Sequence, residues 1–404
     1  MKNAIMYGGG NIGRGFIGAL FSQSGYHVTF IDVADKVVDA LKTDHRYPVR
    51  MVSSEGHIDT EITDVDAING RDVEAVAKAI ADTDIMATAV GVNILKFIVP
   101  NIVAGLRKRF AENDRPLNII ICENLMDANK ILEGMIKAEL TEEECKVFDK
   151  SVGLVEASIG RMVPVQTPDM QDGEPLRVCV ESYGFLPVDK AVFKGKIPEI
   201  KNMVPFEPFD YYLKRKLYIH NMGHATCAYL GDYTGKEYIY QSIDDADTLL
   251  IVQNSMLESA LALSKKYDLE VVTVIKHIQD LLSRFTNAAL KDTCQRVGGD
   301  PKRKLSPEDR LIGLSSLCLE EGVMPVFICV GAAGALYRYM KENNLDQTES
   351  NAVSVLTEIS GLVKESPLLS YILPIYNLFR QGASIAAIRR AAEEMRSVNL
   401  KDII

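Results

Sequence analysis

Residues 3–32 hold the feature that most limits what this chain can fold into: a glycine-spaced turn set between a strand and a helix. Asn3-Ala4-Ile5-Met6-Tyr7 is short and mostly apolar and predicts a strand. It runs into Gly8-Gly9-Gly10-Asn11-Ile12-Gly13, which satisfies G-x-G-x-x-G. A helix follows to Ser24 and stops at Gly25, and a second strand, His27-Val28-Thr29-Phe30-Ile31, ends on Asp32. Gly8 permits a tight turn, Gly10 leaves room for a pyrophosphate against the backbone, and Gly13 lets the helix pack close to the strand. The helix start offers free N–H groups and a partial positive charge to phosphates. Asp32 stands about 20 residues beyond the glycines, where a carboxylate can accept ribose hydroxyls. Gly8, Gly10, Asn11, Ile12, Gly13 and Asp32 are therefore the expected dinucleotide-binding residues. A bare glycine pattern is weak, because such turns are common; the strand before, the helix after and the acid at the right distance give it weight. The carboxylate favours NAD over NADP, since it would repel a 2′-phosphate. No arginine lies in residues 32–35, although Lys36 is close.

At 404 residues the chain is long for one ordinary domain, and two are expected. With 47% hydrophobic and 25% charged residues it has the balance of a soluble globular protein. A net charge of −10 argues against a nucleic-acid-binding surface. The chain opens directly on a strand, so no signal peptide is expected. The apolar run 322–337 is short for a membrane span and is broken by Pro325, Gly331 and Gly334, which predicts a core helix. Seven cysteines without C-x-x-C spacing suit reduced thiols in the cytoplasm.

The first half alternates strands and helices. Helices are expected over 35–41, 72–81, 94–110 and 128–138, and strands over 84–89, 117–122 and 152–157, with a small hairpin somewhere in 47–68. This rhythm predicts an α/β fold with an N-terminal Rossmann-type, doubly wound, mostly parallel sheet. Residues 176–183 alternate apolar and polar and predict an antiparallel addition. Beyond 202–210, a passage marked by Pro198, Pro205 and Pro208, helical periodicity dominates. Leu249, Val252, Met256, Ala260 and Leu263 share one helical face. Further helices are expected over 271–284, 307–319, 324–340, 350–363 and 384–396. The reading is a dinucleotide-binding domain over 1–200 and a mostly α-helical domain over 201–404, with the cleft between them as the default site.

The helical half opens with Lys216, Asn221 and His224 in an otherwise apolar stretch. At about 100° per residue, Asn221 lies about 140° and His224 about 80° from Lys216. From spacing alone these are ordinary helix polar residues bonded to nearby backbone. His220 and His224, four apart, also have a spacing that can bind zinc, but no third ligand is evident. Arg296, Lys302, Arg303, Lys304 and Arg310 put five cations in fifteen residues. They read either as a solvated loop or as a phosphate pocket.

Lys-x4-Asn-x2-His beside the N-terminal glycine pattern resembles the long-chain mannitol dehydrogenase family of polyol-specific secondary alcohol dehydrogenases. Supporting runs are residues 8–18 (GGGNIGRGFIG), Thr88-Ala89-Val90-Gly91, Cys122-Glu123-Asn124, Arg161-Met162-Val163-Pro164, 216–230 and 296–312. Within that family the chain resembles the branch interconverting mannitol 1-phosphate and fructose 6-phosphate. The resemblance implies an NAD-dependent monomer without a catalytic metal, acting on a small polyol or sugar phosphate. It implies Lys216 as acid–base, Asn221 and Asn124 as donors to the developing alkoxide, His224 on a neighbouring substrate hydroxyl, and Val90 at the cofactor. It sets Arg296 and Lys304 near the substrate, where Arg303 and Arg310 would complete a phosphate pocket. One departure stands out. The family carries Asp before the arginine of D-R-[IV]-x-P, and this chain has Gly160. Glu123 or Glu156 could compensate. The alternative substrate is a non-phosphorylated polyol or a sugar acid of the mannitol, fructuronate or tagaturonate type. A dinucleotide-binding sensor without catalysis is the reading from another class.

Overall fold

Successive residues of the N-terminal strands serve opposite faces, and both faces are apolar. This is why the strands form a sheet covered on two sides. The computed structural model describes residues 2–113, 115–125 and 127–401. The chain divides into two compact units, Met1–Asp210 and Tyr211–Ile404.

In the first unit the strands are β1 (Lys2–Tyr7), β2 (Tyr26–Asp32), β3 (Arg46–Ser53), β4 (Gly56–Thr63), β5 (Val65–Asn69), β6 (Ile85–Thr88), β7 (Leu117–Ile121), β8 (Val152–Glu156), β9 (Val178–Val180), β10 (Leu186–Asp189) and β11 (Met203–Phe206). Six of them form one parallel sheet in the order β5-β2-β1-β6-β7-β8. Ala4, Met6, Val28, Phe30, Ala87, Ile120 and Val155 pack on one face with Phe16, Leu20 and Phe21. Ile5, Tyr7, Ile31, Met86, Ile119, Ile121 and Leu154 pack on the other with Ile80, Ile98, Ile102 and Leu106. The chain winds outward from β1 in one direction and then, from β6, in the other. The reversal opens a crevice at the carboxyl ends of β1 and β6, where doubly wound sheets bind ligands.

The expected hairpin is present as β3 and β4, paired antiparallel from Arg46↔Thr63 to Ser53↔Gly56. The expected antiparallel addition needs correction: β9 pairs parallel to β3, from Val49↔Val178 to Met51↔Val180. Alternation reports a half-buried strand and carries no information on the direction of its partner. The proline-marked passage contains β11, whose Pro205 sits in a two-stranded parallel ladder with β10. A strand with one open edge tolerates a residue that lacks an N–H.

The second unit is helical. Its long helices are Ala246–Tyr267, Val271–Phe285, Val326–Glu342, Pro367–Arg380 and Ile385–Lys401. Pro367–Arg380 lies outside the expected helices and has Pro374 inside it. Val326–Glu342 is a core helix, as its glycines suggested. A Cβ at Gly331 would fall 2.3 Å from Thr226 Oγ1, so a small residue lets this helix and the helix Met222–Tyr233 approach closely. Among the described residues no helix is long and apolar enough to cross a membrane.

Candidate active site

The glycine turn after β1 is shaped by contacts that only glycine allows. Gly8 has φ +105°, and a Cβ there would lie 2.5 Å from Ala89 O. A Cβ at Gly13 would lie 1.9 Å from Gly8 O, so the helix start is in van der Waals contact with the turn. A Cβ at Gly10 would meet nothing within 4 Å, which is the open space a pyrophosphate requires. Asn11 is exposed and Ile12 half-buried at the helix start. Asp32 ends β2 and grips the turn: Gly9 N donates to its Oδ2 at 2.6 Å and Ala34 N to its Oδ1 at 2.9 Å. Residues 13–18 wind as a π-helix, a form often found at functional sites.

Val90, on the loop after β6, is held through its backbone. Val90 N and Gly91 N donate to the two oxygens of buried Glu123 at 2.9 and 2.8 Å. Glu156, at the end of β8, accepts from Ala128 N at 3.2 Å, and burial pushes its carboxyl up to about 7. Both oxygens of Glu123 and one of Glu156 thus serve backbone amides, which weighs against either standing in for the missing aspartate. Asn124 is exposed on the loop after β7. At Gly160 a Cβ would come 3.1 Å from Tyr183 Cε1 and 3.5 Å from its hydroxyl. Arg161 donates from Nε to Tyr183 O and from Nη1 to Gly15 O at 2.9 Å, and its guanidinium lies 4.9 Å from the Phe16 ring centre. The Gly160 loop is therefore fastened to the glycine-rich helix.

In the second unit, Lys216–Asn221 forms another π-helical turn, continued by the α-helix Met222–Tyr233. This changes the expected angles. Hydrogen bonding from i to i+5 sets Asn221 about one turn above Lys216, where α-helical winding would turn it about 140° away. His224 follows three residues later on the neighbouring surface. Lys216 is half-buried; loss of solvation, and then the Arg310 charge, lower its ammonium to about 8. His220 is buried beside His224, with ring centres 5.8 Å apart, and burial holds its pKa well below the usual histidine value.

His224 stacks on Phe285 at 4.8 Å and 17°. Its Nε2 lies 3.2 Å from Asp292 Oδ2, close enough for an ion pair but with angles short of a hydrogen bond. Asp292 Oδ1 accepts from Nε of Arg296 at 3.0 Å and from its Nη2. Burial would raise the Asp292 carboxyl; His224 and Arg296 outweigh it and hold the group below the usual range.

Of the expected phosphate cations, Arg296, Arg303, Lys304 and Arg310 have partners within the protein. Arg303 pairs with Asp300 at 2.9 Å and with Asp309 at 2.8 Å, and Arg310 pairs with Asp309 at 2.7 Å. Lys304 is buried and donates to Val297 O at 2.8 Å and to Gly299 O. Burial, Arg310 and Arg303 lower its ammonium to about 7. The pattern was readable: Asp292, Asp300 and Asp309 precede their arginines by four, three and one residues. Counting cations alone passed over them. Sequence reasoning also missed Asp292 and Phe285, which position His224. Among the described residues no group of three or more His, Cys, Asp and Glu side chains could hold a metal ion.

Comparison with known proteins follows this division. Residues 2–202 match the family described as mannitol dehydrogenase Rossmann domain, and residues 209–366 match mannitol dehydrogenase C-terminal domain. The chain is 34% identical over 387 residues to mannitol-1-phosphate 5-dehydrogenase of Thermoanaerobacter pseudethanolicus, covering 94% of this chain and 99% of that protein. In fold it is similar to a substrate-free D-sorbitol dehydrogenase, with TM-score 0.79 at 15% identity over 96% of this chain and 95% of the other. It is also similar to Pseudomonas fluorescens mannitol 2-dehydrogenase, solved with NAD and D-mannitol, with TM-score 0.72 at 14% identity over 97% and 94%.

Proposed function

The chain belongs to the mannitol dehydrogenase family, and on that premise we propose that it interconverts mannitol 1-phosphate and fructose 6-phosphate with NAD. The open face of Gly10, the close contacts at Gly8 and Gly13, and the Asp32 carboxylate fit a dinucleotide. Asn11, Ile12 and Val90 complete the residues assigned to it. When bound, the nicotinamide ring supplies the hydride acceptor. One observation carries the reading: burial and Arg310 hold the Lys216 ammonium at about 8. A lysine in that range can take the hydroxyl proton on Nζ in oxidation and return it in reduction near neutral pH. Asn221 and Asn124 donate to the oxygen as its charge develops. His224, braced by Phe285 and Asp292, holds a neighbouring hydroxyl.

NADH oxidation with fructose 6-phosphate, with fructose and fructuronate alongside, tests the substrate. Lys216→Ala should lower turnover about a thousandfold while keeping NADH binding. Full activity in that variant removes Lys216 from the chemistry.

A second reading takes a non-phosphorylated polyol or a sugar acid as substrate. It is favoured by the internal pairing of Arg296, Arg303 and Arg310, by the burial of Lys304 against carbonyls, and by Gly160. Turnover of fructose or fructuronate with none of fructose 6-phosphate selects it.

A further inference from the structure

Arg14 is 6% exposed, directly behind the glycine turn. Its Nε donates to Gly9 O at 2.7 Å and its Nη1 to Leu176 O at 2.5 Å. The Tyr47 hydroxyl donates to the Arg14 carbonyl at 2.8 Å. Arg14 therefore ties the turn to β3 through Tyr47 and to the segment leading into β9 through Leu176. Among the described residues it forms hydrogen bonds and no ion pair. Asp32, which influences it electrostatically, has one oxygen on Gly9 N and the other on Ala34 N. Gly9 is thus gripped at both ends, its N–H by an anion and its C=O by a cation.

A buried guanidinium without a counter-ion is unfavourable, and two neutral carbonyls offset only part of the loss of water. Arginine cannot escape by releasing its proton at neutral pH. The chain places this charge behind a turn whose neighbouring residue, Gly10, faces open space. An anion held at the turn would supply the missing charge.

We propose that Arg14 is the positioning and charge-balancing residue of the dinucleotide cradle, acting on the pyrophosphate through the Gly9 peptide without touching it. The inference rests on the dinucleotide reading above and adds a residue whose guanidinium donates to backbone carbonyls. The positive field at the turn then has two sources, the helix start and a full buried charge. The second is the larger, because a helix terminus carries only about half an elementary charge.

The test is binding in the full-length protein, independent of turnover. NADH is titrated by fluorescence, and ADP-ribose and adenosine by competition, against wild type, Arg14→Gln, Arg14→Lys and Tyr47→Phe. Arg14→Gln should weaken NADH and ADP-ribose, which carry the pyrophosphate, about tenfold or more, and adenosine less than about twofold. Arg14→Lys keeps the charge and should stay within about threefold of wild type for NADH, with a similar salt dependence. Tyr47→Phe keeps the guanidinium and should bind NADH normally. Equal losses for adenosine and ADP-ribose in Arg14→Gln would reduce Arg14 to a structural tie and overturn the proposal. So would an equal loss in Arg14→Lys and Arg14→Gln, a comparison that stands if Arg14→Gln is poorly stable. Wild-type protein that binds no NADH overturns the dinucleotide reading itself, whereas unchanged binding in Arg14→Gln overturns only the role given to Arg14.

Discussion

Asp292 lies 3.2 Å from Nε2 of His224 and is itself only 9% exposed at the side chain. Its other oxygen belongs to Arg296, so one carboxylate serves both a histidine and an arginine that the sequence pattern had treated as separate substrate contacts. The ring is fixed on its face by Phe285 and at its edge by Asp292. On the proposed reading, Asp292→Asn keeps the shape and loses the charge that orients the ring. We expect kcat/KM to fall about tenfold, or about 1.4 kcal/mol, mostly through KM. Steady-state kinetics on both variant and wild type measure it, and an unchanged KM would detach Asp292 from substrate placement.

The Lys216 ammonium at about 8 sets the direction of the pH dependence. Oxidation needs the neutral amine, so kcat/KM for polyol should rise with pH and level off above about 8. Reduction needs the ammonium and should fall over the same range. Arg310→Met removes the second cause of the shift and should carry the oxidation limb to higher pH. A limb that stays in place in this variant assigns the titration to another group.

Glu156 offers a stability test with a defined sign. Its folded carboxyl, at about 7, lies above the ordinary value of 4.5, because burial disfavours the charged form. Its contribution is present in full below about 4.5 and is lost as pH rises through about 7. Glu156→Gln should therefore flatten the pH dependence of unfolding between pH 5 and 8, by on the order of 2 kcal/mol. Chemical denaturation at several pH values reads it, and parallel wild-type and variant curves would contradict it.

Glu123 behaves differently, since both its oxygens accept from amides. Glu123→Gln sets an NH2 group against a backbone N–H. It should cost about 1–3 kcal/mol of stability and weaken NADH binding, because the Val90 loop loses its anchor. Normal NADH affinity in a folded variant would show that the loop holds its shape unaided.

Gly160 and Tyr183 form a steric pair. Gly160→Ala brings a methyl to 3.1 Å from the Tyr183 ring and should cost about 1 kcal/mol. Adding Tyr183→Ala should remove that penalty, giving a coupling measurable in a double-mutant cycle. Additive effects would mean that the ring moves aside freely.

The parallel sheet was legible because strands such as Leu117–Ile121 are apolar at all but one residue and alternate with helices. The glycine turn was legible because Gly8 and Gly13 answer to backbone geometry, which leaves few substitutes. The pairing direction of β9 was not, because alternation over 176–183 says nothing about the partner strand. The internal pairing of the 296–310 cations was passed over for another reason. Net charge in a window does not reveal that Asp292, Asp300 and Asp309 sit within one turn of their arginines. The π-helical turn was missed because spacing was converted to angle at the α-helical rate.

That turn works like a phase shift in a screw thread. Lys216–Asn221 winds more widely than an α-helix, and the α-helix that follows inherits its azimuth from it. Winding this segment as regular α-helix with every residue kept would rotate everything beyond it by on the order of 100°. His224 would swing away from Lys216 although no side chain in either role had changed. On the proposed reading the alignment is stored in the form of the winding, so a locally more regular helix of the same length would be the less competent one.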